Sequence, residues 1–199
     1  MDDDLLVLDR WCAGDKAAGN TLFTRHFPAL YRFFEHKTDG DIDDLVQETF
    51  LQCLKSRDTF KRQSTFRTYL FAIARHVLFY YWRKRAQSNI NAAIDFEDVS
   101  IASLSTSLAT RLAKNEDRAR LLAALRALPV EQQLLLEMFY WEGFDRDQLA
   151  EVFEVETATI GSRLTRARQT LQKSLDTMTH LALDGGFDTW ARNLANEKD

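Results

Sequence analysis

Residues 65–85 read TFRTYLFAIARHVLFYYWRKR, and the rest of the chain is organised around them. The segment contains neither Gly nor Pro. Its apolar side chains recur every three or four residues, at Phe66, Leu70, Ile73, Val77 and either Tyr80 or Tyr81. This spacing predicts one long helix with a stripe that faces the core.

The remaining faces of the predicted helix combine cationic and aromatic side chains. They carry Arg67, Arg75, His76, Arg83, Lys84 and Arg85, interleaved with Tyr69, Phe71, Phe79 and Trp82. No acidic residue occurs between Asp58 and Asp95. Such a helix favours a surface where phosphates are neutralised and bases are stacked. A core helix with a solvated basic end is an equally good interpretation of this segment alone.

The composition predicts an all-α protein with two small helical domains. Seven Gly and two Pro are few for 199 residues, and no segment alternates as a strand would. We predict a first domain over residues 1–86, a flexible linker over 87–115, a second domain over 116–180 and a C-terminal extension over 181–199. No apolar run reaches the roughly 18 residues of a membrane span. The N-terminus is acidic, so we expect no membrane insertion and a cytoplasmic location.

Neither catalysis nor a bound cofactor is indicated. Cys12 and Cys53 form no CxxC pair, and the four His are scattered, so no metal site is expected. The formal net charge is −4, but the charges are unevenly distributed. Acidic residues collect in 2–9, 39–48, 95–98 and 131–156, and basic residues in 61–85 and 163–173. This pattern indicates separate protein-facing and nucleic-acid-facing surfaces.

Three helices are predicted before the 65–85 segment. A short helix over residues 3–13 precedes a second one, which Asp15 caps and Pro28 is expected to kink. Asp41 is expected to cap the third. Four polar residues lie opposite the apolar stripe of this third helix: Asp43, Asp44, Gln47 and Glu48. Acids at a helix N-terminus also stabilise the helix dipole, so structure alone could explain them.

The second domain contains a helix-turn-helix pattern. Asp145 is expected to cap a short helix, and Thr157 to cap a longer one after a tight turn at 154–156. The second helix of such a motif enters the major groove of DNA. Its outward side chains that can donate to phosphates and guanine edges are Ser162, Arg163, Thr165, Arg166 and Arg168.

Taken together, these segments resemble the sigma-70 family of bacterial transcription initiation factors, in particular its two-domain extracytoplasmic-function group. In the first domain the resemblance rests on GDKAA at 14–18, FPALYRF at 27–33, DDLVQETF at 43–50 and FRTYLFAIAR at 66–75. In the second domain it rests on Leu128-Pro129 and on SRLTRAR at 162–168. It covers about residues 4–175 in order and spacing.

The resemblance implies that the partners are core RNA polymerase and promoter DNA, and that the chemistry belongs to the polymerase. Asp43, Asp44, Gln47 and Glu48 would dock on the clamp helices of the β′ subunit, and residues 130–141 would help seat the second domain on the β flap. An anti-sigma factor or another regulator would hold the chain inactive until a signal arrives.

The resemblance also assigns two sets of DNA contacts. The minus-ten element would be recognised and melted by Phe60, Lys61, Arg62, Phe66, Arg67, Tyr69, Arg75, His76 and Arg83, because an unstacked base must be restacked or pocketed. The minus-thirty-five element would be read by Thr159, Ser162, Arg163, Thr165, Arg166 and Arg168.

Three residues depart from the family pattern. Gly161 stands where relatives usually carry Lys or Arg, so one DNA contact is expected to be missing, and His76 stands where Asn is common. Glu154 occupies a turn position that is often Gly, which costs on the order of 1 kcal/mol if the residue is left-handed. The tail over residues 176–199 extends beyond the usual end, and we hypothesise that it folds back or binds a regulator.

Two other functions fit parts of the pattern. A stand-alone helix-turn-helix regulator would use residues 1–86 for sensing or dimerisation and would bind duplex DNA without polymerase. Alternatively, the first domain is a structural interaction module and its basic helix is a solvated face. An enzyme has no set of residues behind it.

Overall fold

A computed structural model describes residues 3–56, 60, 64–87, 94–104 and 116–178. Within these ranges the protein is all-α, as predicted, and the only extended pairing is a single bridge between Ser100 and Pro129. None of the described helices is both long enough and apolar enough to cross a bilayer. The helices are α1 Asp3–Cys12, α2 Lys16–Phe34, α3 Ile42–Ser56, α4 Phe66–Gln87, α5 Ile101–Leu104, α6 Glu116–Ala127, α7 Val130–Tyr140, α8 Arg146–Phe153 and α9 Thr157–Met178.

The helices group into two compact units. The first contains α1 to α4, and the second contains α5, α6, α7, α9 and most of α8. The domain boundaries given above, at 86 and 116, stay predictions. The C-terminal extension over 181–199 lies outside the described residues.

Short polar residues cap three helices of the first unit, and two of them, Asp15 and Asp41, are the caps that the sequence predicts. Asp15 Oδ1 accepts hydrogen bonds from the backbone N–H of Ala17 at 2.9 Å and of Ala18 at 3.2 Å. Asp41 Oδ1 accepts from Asp43 N–H at 2.9 Å. Thr65 Oγ1 accepts from Thr68 N–H at 3.1 Å, so Thr65 caps α4. These bonds satisfy donors that the first turn of a helix leaves without an intrahelical partner.

Helix α4 is the centre of the first unit, because α1, α2 and α3 all pack against it. Phe71, Phe79 and Trp82 are therefore buried, at 0, 5 and 1% exposed, although their spacing places them off the predicted core stripe, on the faces expected to contact DNA. The Trp82 indole N–H donates to the backbone oxygen of Lys37 at 3.0 Å. A helix with three neighbours buries apolar residues on several sides, so a single-stripe interpretation was wrong here.

The structure also decides between Tyr80 and Tyr81. The Tyr81 hydroxyl bonds to the carboxylate of Asp39, and Arg85 pairs with the same carboxylate at 2.6 Å. Burial and the hydrogen bond to Asp39 raise the pKa of Tyr81 to about 12. Tyr80 instead points to solvent and is 66% exposed.

In the second unit, part of the predicted linker is packed against helices. Phe96 and Ile101 are 4 and 0% exposed. Two backbone bonds join this segment to the start of α7: Val130 N–H donates to Val99 O at 2.9 Å, and Glu131 N–H donates to Phe96 O at 3.1 Å. Residues 94–104 thus form part of the second unit, because two apolar side chains among polar ones are enough to dock a short segment.

The start of α8 has the predicted cap. Asp145 Oδ1 accepts from Gln148 N–H at 2.8 Å, and Gln148 Oε1 accepts in return from Asp145 N–H at 3.0 Å. This reciprocal pair is a capping box. The turn that follows α8 is left-handed at Glu154, with φ of 56°.

The start of α9 differs from the prediction. Thr157 is already helical, and its hydroxyl donates to Asp147 Oδ1 at 2.9 Å, so it does not act as the N-cap. The inward residues of α9 are as predicted, since Ile160, Leu164, Ala167 and Leu171 are all at most 1% exposed. This side of α9 packs on α6 and α7.

Candidate protein and nucleic-acid interfaces

The first two turns of α3 present an acidic face, formed by Asp43, Asp44, Gln47 and Glu48. Asp43, Asp44 and Gln47 are exposed, and Glu48 is partly buried and accepts from Gln52 Nε2 at 2.6 Å. Neither Asp43 nor Asp44 forms an ion pair within the part of the chain that the structure describes. The face therefore offers two carboxylates that no described internal cation occupies.

Leu51 extends this acidic face by one further helical turn and was not predicted as part of it. It follows Gln47 by four residues, a spacing that places two side chains on the same side of a helix. It is 50% exposed, whereas Phe50 beside it is 7% exposed. The signal available in the sequence was its i+4 relation to Gln47.

Phe60 and Tyr69 form a stacked pair at the start of α4. Their ring centroids lie 4.2 Å apart with an interplanar angle of 20°. The Tyr69 hydroxyl lies 2.6 Å from Ser56 Oγ, and burial raises the pKa of Tyr69. Lys61 and Arg62 lie outside the described residues.

One side of α4 brings together three of the predicted minus-ten residues. Tyr69, His76 and Arg83 follow one another at intervals of seven residues, which is close to two helical turns. His76 and Arg83 are exposed, and Tyr69 is partly exposed. The exposed Tyr80 stands between them on the same side and was not predicted as a contact.

The other predicted residues of α4 are less accessible. Phe66 is fully buried, 5.3 Å from the ring of His26, so it serves the core and is not offered to a base. The guanidinium of Arg67 lies over the ring of Phe71 at 5.1 Å. That of Arg75 lies over Phe79 at 4.7 Å. Such cation–π contacts hold a guanidinium in a fixed direction along the helix.

His26, next to Phe66, belongs to a polar cluster that was not predicted, and His26 and Asp4 are its buried members. Its Nε2 lies 2.7 Å from Asp4 Oδ2, and Arg25 pairs with Asp4 and with Asp3. Burial lowers the pKa of His26 even though the Asp4 carboxylate opposes this shift. The cluster fastens α1 to α2, so these acids act within the fold.

The outward side of α9 carries Ser162, Thr165 and Arg166, all exposed. Both hydroxyls donate back to the helix, Ser162 Oγ to Thr159 O at 2.9 Å and Thr165 Oγ1 to Gly161 O at 3.0 Å. Thr159 is partly buried. Gln169 and Lys173 continue the same side at three- and four-residue spacing and were not predicted, although the spacing alone would have found them.

Two of the predicted arginines of α9 have partners inside their own unit. Arg163 Nη2 donates to Glu97 Oε1 at 3.0 Å. Arg168 Nε donates to the Tyr140 hydroxyl at 2.6 Å, and its guanidinium lies 5.6 Å from the ring centroids of both Phe139 and Tyr140. Arg166 is thus the exposed arginine of the predicted set on the outward side.

Gly161 lies beside this outward side in open space. A Cβ built at this position would meet no atom within 4 Å, so the fold does not require Gly here. The missing cationic side chain is therefore a property of the surface and not of the packing.

Both helical units match descriptions of one protein family. Residues 22–88, which span most of α2, α3 and α4, match Sigma-70 region 2, and residues 118–171, which hold the helix-turn-helix, match Sigma-70, region 4. The two matches cover most of the described chain in the order expected from the sequence. The chain belongs to the sigma-70 family, a class of promoter-directing transcription initiation factors.

Relatives place it more narrowly, in the extracytoplasmic-function group. The chain is 24% identical to the ECF RNA polymerase sigma-E factor of Salmonella typhimurium, over 86% of this chain and 94% of the relative. It is 25% identical to the protein of the same name from Haemophilus influenzae, over 86% of this chain and 95% of the relative.

Two solved structures share the fold. The sigma factor RpoE in complex with the anti-sigma factor NepR from Bartonella quintana has a TM-score of 0.60 at 24% identity, over 80% of this chain and 98% of that one. CnrH in complex with the cytosolic domain of CnrY has a TM-score of 0.63 at 21% identity, over 88% of this chain and 99% of that one.

Proposed function

We propose that this chain binds core RNA polymerase through the acidic face of α3 and directs the enzyme to specific promoters through α4 and α9. The partner of the acidic face would be the clamp helices of the β′ subunit. The observation that carries the proposal is the exposure of Asp43 and Asp44 without an ion pair in the described part of the chain. Carboxylates in this state are available to a cationic protein surface.

The minus-ten element would be recognised and melted at the exposed side of α4. Tyr69, with Phe60 stacked on it, offers an aromatic surface for an unstacked base, and His76 and Arg83 follow along the same side. Aromatic rings replace the stacking that a base loses when the duplex opens, and cations neutralise the strand. Arg67, Arg75, Lys61 and Arg62 would contribute to the strand contacts, and we leave out the buried Phe66.

The minus-thirty-five element would be read by the outward side of α9, with Arg166 as the main donor to a base or phosphate. Three further polar side chains on the same stretch of helix would form hydrogen bonds to the DNA phosphate backbone: Thr159, Ser162 and Thr165. Residues 130–141 would help to seat this unit on the β flap of the polymerase. Because Gly161 has no side chain, one DNA contact would be missing, so this chain would prefer a promoter sequence different from that of relatives with Lys or Arg at this position.

The chain would perform no catalysis, because phosphodiester chemistry belongs to the polymerase, and it would act in the cytoplasm. We also propose a regulator of the anti-sigma type, since both solved structures of similar fold contain an anti-sigma factor or the cytosolic domain of a second protein. The C-terminal extension would fold back or bind this regulator. Unchanged stability and promoter output after deletion of residues 184–199 would contradict that role.

The decisive experiment is run-off transcription with purified bacterial core polymerase, with and without this chain, followed by mapping of start sites. Initiation at discrete sites only when the chain is present is expected. Replacing Phe60, Lys61 and Arg62 by Ala should spare the closed complex and impair strand opening, measured by permanganate reactivity. A chain that fails to join core polymerase would refute the proposal.

The alternative is a stand-alone helix-turn-helix regulator. It predicts tight, sequence-specific duplex binding by the free chain, whereas a sigma factor binds promoter DNA tightly only as holoenzyme.

Arg166→Ala should weaken upstream-element use by about 1 to 3 kcal/mol in the holoenzyme if it contacts a guanine in bidentate fashion. Lys173→Ala, further along the same side of α9, is the control for loss of a cation alone and should weaken binding to all sequences alike.

A further inference from the structure

The turn over residues 95–98 carries three acids and is built into the second unit. Asp95 Oδ1 accepts from Glu97 N–H at 2.9 Å, and Asp95 O accepts from the N–H groups of Asp98 at 3.2 Å and Val99 at 3.0 Å. The Phe96 ring is 4% exposed and anchors the turn. Asp95, Glu97 and Asp98 consequently face solvent in a fixed arrangement.

One of these acids contacts the predicted DNA-reading helix. Glu97 Oε1 accepts from Arg163 Nη2 at 3.0 Å, and the two side chains are 60 and 29% exposed. Arg163 follows Ser162 directly and precedes Arg166 by three residues, so it borders the outward side of α9. A carboxylate oxygen at this distance occupies the same donor that a DNA phosphate oxygen would take.

We propose that Glu97 is an internal competitor for promoter DNA at the recognition helix: DNA gains Arg163 only by displacing the Glu97 carboxylate. The proposal rests on the proposed reading of the upstream element by α9. It makes Glu97 a determinant of upstream-element affinity although Glu97 contacts no DNA, and it gives the acidic turn 95–98 a function beyond its packing.

The Glu97–Arg163 ion pair is weak enough for DNA to displace. Because both side chains are partly exposed, water and salt screen the ion pair, and such pairs contribute little to stability. A phosphate backbone carrying a dense negative charge can displace a single carboxylate of this kind. Removal of the Glu97 charge should therefore raise DNA affinity by up to about five-fold, the upper end of what exposed ion pairs contribute.

The salt dependence gives a second, independent readout. In the wild-type complex, Glu97 loses its internal cation and attracts a cation from solution, which offsets part of the counterion release from DNA. Without the carboxylate this offset disappears. The slope of log affinity against log salt should then be steeper, by up to about one unit per released arginine.

The test compares two variants in reconstituted holoenzyme on a duplex that contains the upstream element, over a range of salt concentrations. Glu97→Gln removes the partner of Arg163, whereas Asp98→Asn removes the same charge from the same turn and leaves the pair intact. We expect tighter binding and a steeper slope for Glu97→Gln, and a clearly smaller change for Asp98→Asn. Equal effects would show that only the general charge matters and would overturn the proposal, as would weaker binding by Glu97→Gln.

A double variant ties the effect to Arg163. In the Arg163→Ala background, Glu97→Gln should change affinity no more than Asp98→Asn does. Thermal unfolding of each variant checks that the fold is kept. If the wild-type holoenzyme does not distinguish the upstream element from a scrambled duplex, the proposed reading by α9 fails as well. If it does distinguish them and the Glu97 effect persists without Arg163, only the competitor role is lost.

Discussion

Two acidic segments, the face on α3 and the turn over 95–98, look alike in sequence and differ in what they contact. Asp43 and Asp44 begin a helix and have no ion-pair partner among the described residues. Glu97 pairs with Arg163, an arginine 66 residues away in sequence. Both segments are clusters of exposed acids, and among the described residues only the second is bound to a cation of its own unit.

The difference shows that a charged segment acquires its role from the cations it meets in the folded chain. An acid without an internal partner is available to another molecule, and its removal should lower the affinity for that molecule. An acid with an internal partner alters what that partner can do, so its removal should appear in DNA affinity or in stability. Charge reversal at Asp44 and Glu48 tests the first case, and variants at Glu97 and at the Asp4–His26 pair test the second.

The largest effect is expected from reversing the charge of the acidic face. Asp44→Lys together with Glu48→Lys would place two cations against the cationic surface of the polymerase, and like charges across an interface cost several kcal/mol. We expect core binding to weaken on the order of a hundred-fold, measured by fluorescence titration of labelled chain with core polymerase. Glu97→Lys together with Asp98→Lys makes the same change of charge in the other segment and should leave core affinity unchanged. Equal losses for both would remove the distinction between the two segments.

A smaller loss is expected at the apolar end of the acidic face. Leu51 retains half of its surface in the free chain, and covering this surface in a complex is worth about 1 kcal/mol. Leu51→Asp should therefore reduce core affinity about five- to ten-fold. Leu6 of α1 is 49% exposed, so Leu6→Asp replaces nearly the same amount of apolar surface, and this variant should not reduce core affinity. A similar reduction by both variants would argue against a contact at Leu51.

The buried Asp4–His26 pair is a case in which an acid acts inside the fold, so it should appear in stability. Burial holds the pKa of His26 below its ordinary value of 6.5, so the unfolded chain takes up this proton at a higher pH than the folded one. Stability should therefore fall as the pH drops below about 6.5, until the folded state is protonated as well. His26→Gln removes this contribution, and its urea midpoint should vary less between pH 7.5 and 5.5. Parallel pH dependence in both proteins would exclude His26 as the cause.

The smallest effect concerns Glu154, an exposed acid in a left-handed turn. A left-handed conformation costs a non-Gly residue about 1 kcal/mol, so Glu154→Gly should raise the free energy of unfolding by up to about that amount. Glu151→Gly, three residues earlier within α8, should instead lower it by roughly 0.5 to 1 kcal/mol. Chemical denaturation of both variants measures the two shifts. Destabilisation by both would show that the turn tolerates Glu without strain.

Much of the fold follows from local features of the chain. Asp15, Asp41 and Asp145 cap helices as predicted, because a short acceptor side chain meets its own backbone within three residues. The helix-turn-helix was also predictable from the sequence, because the spacing of its apolar residues and the turn between its helices are local features. Thr157 was misplaced by one position, since two polar residues in succession compete for the start of a helix.

The candidate sites were predictable only in part. Spacing groups Asp43, Asp44, Gln47 and Glu48 on one side of a helix without any knowledge of the fold. It could not show that Phe66 is buried while Tyr80 is exposed, because both residues fit helical periodicity and the choice depends on which neighbours pack against α4.

By itself, the sequence determined most of the helices, the caps at Asp15, Asp41 and Asp145, and the family, since each of these depends on residues close together along the chain. The tertiary structure alone decided which charges are available: Glu97 meets Arg163, Asp4 meets His26, and Asp39 meets both Tyr81 and Arg85. These pairs join residues 22 to 66 positions apart. An ion pair depends on distance in space, and periodicity along one helix contains no information about that distance.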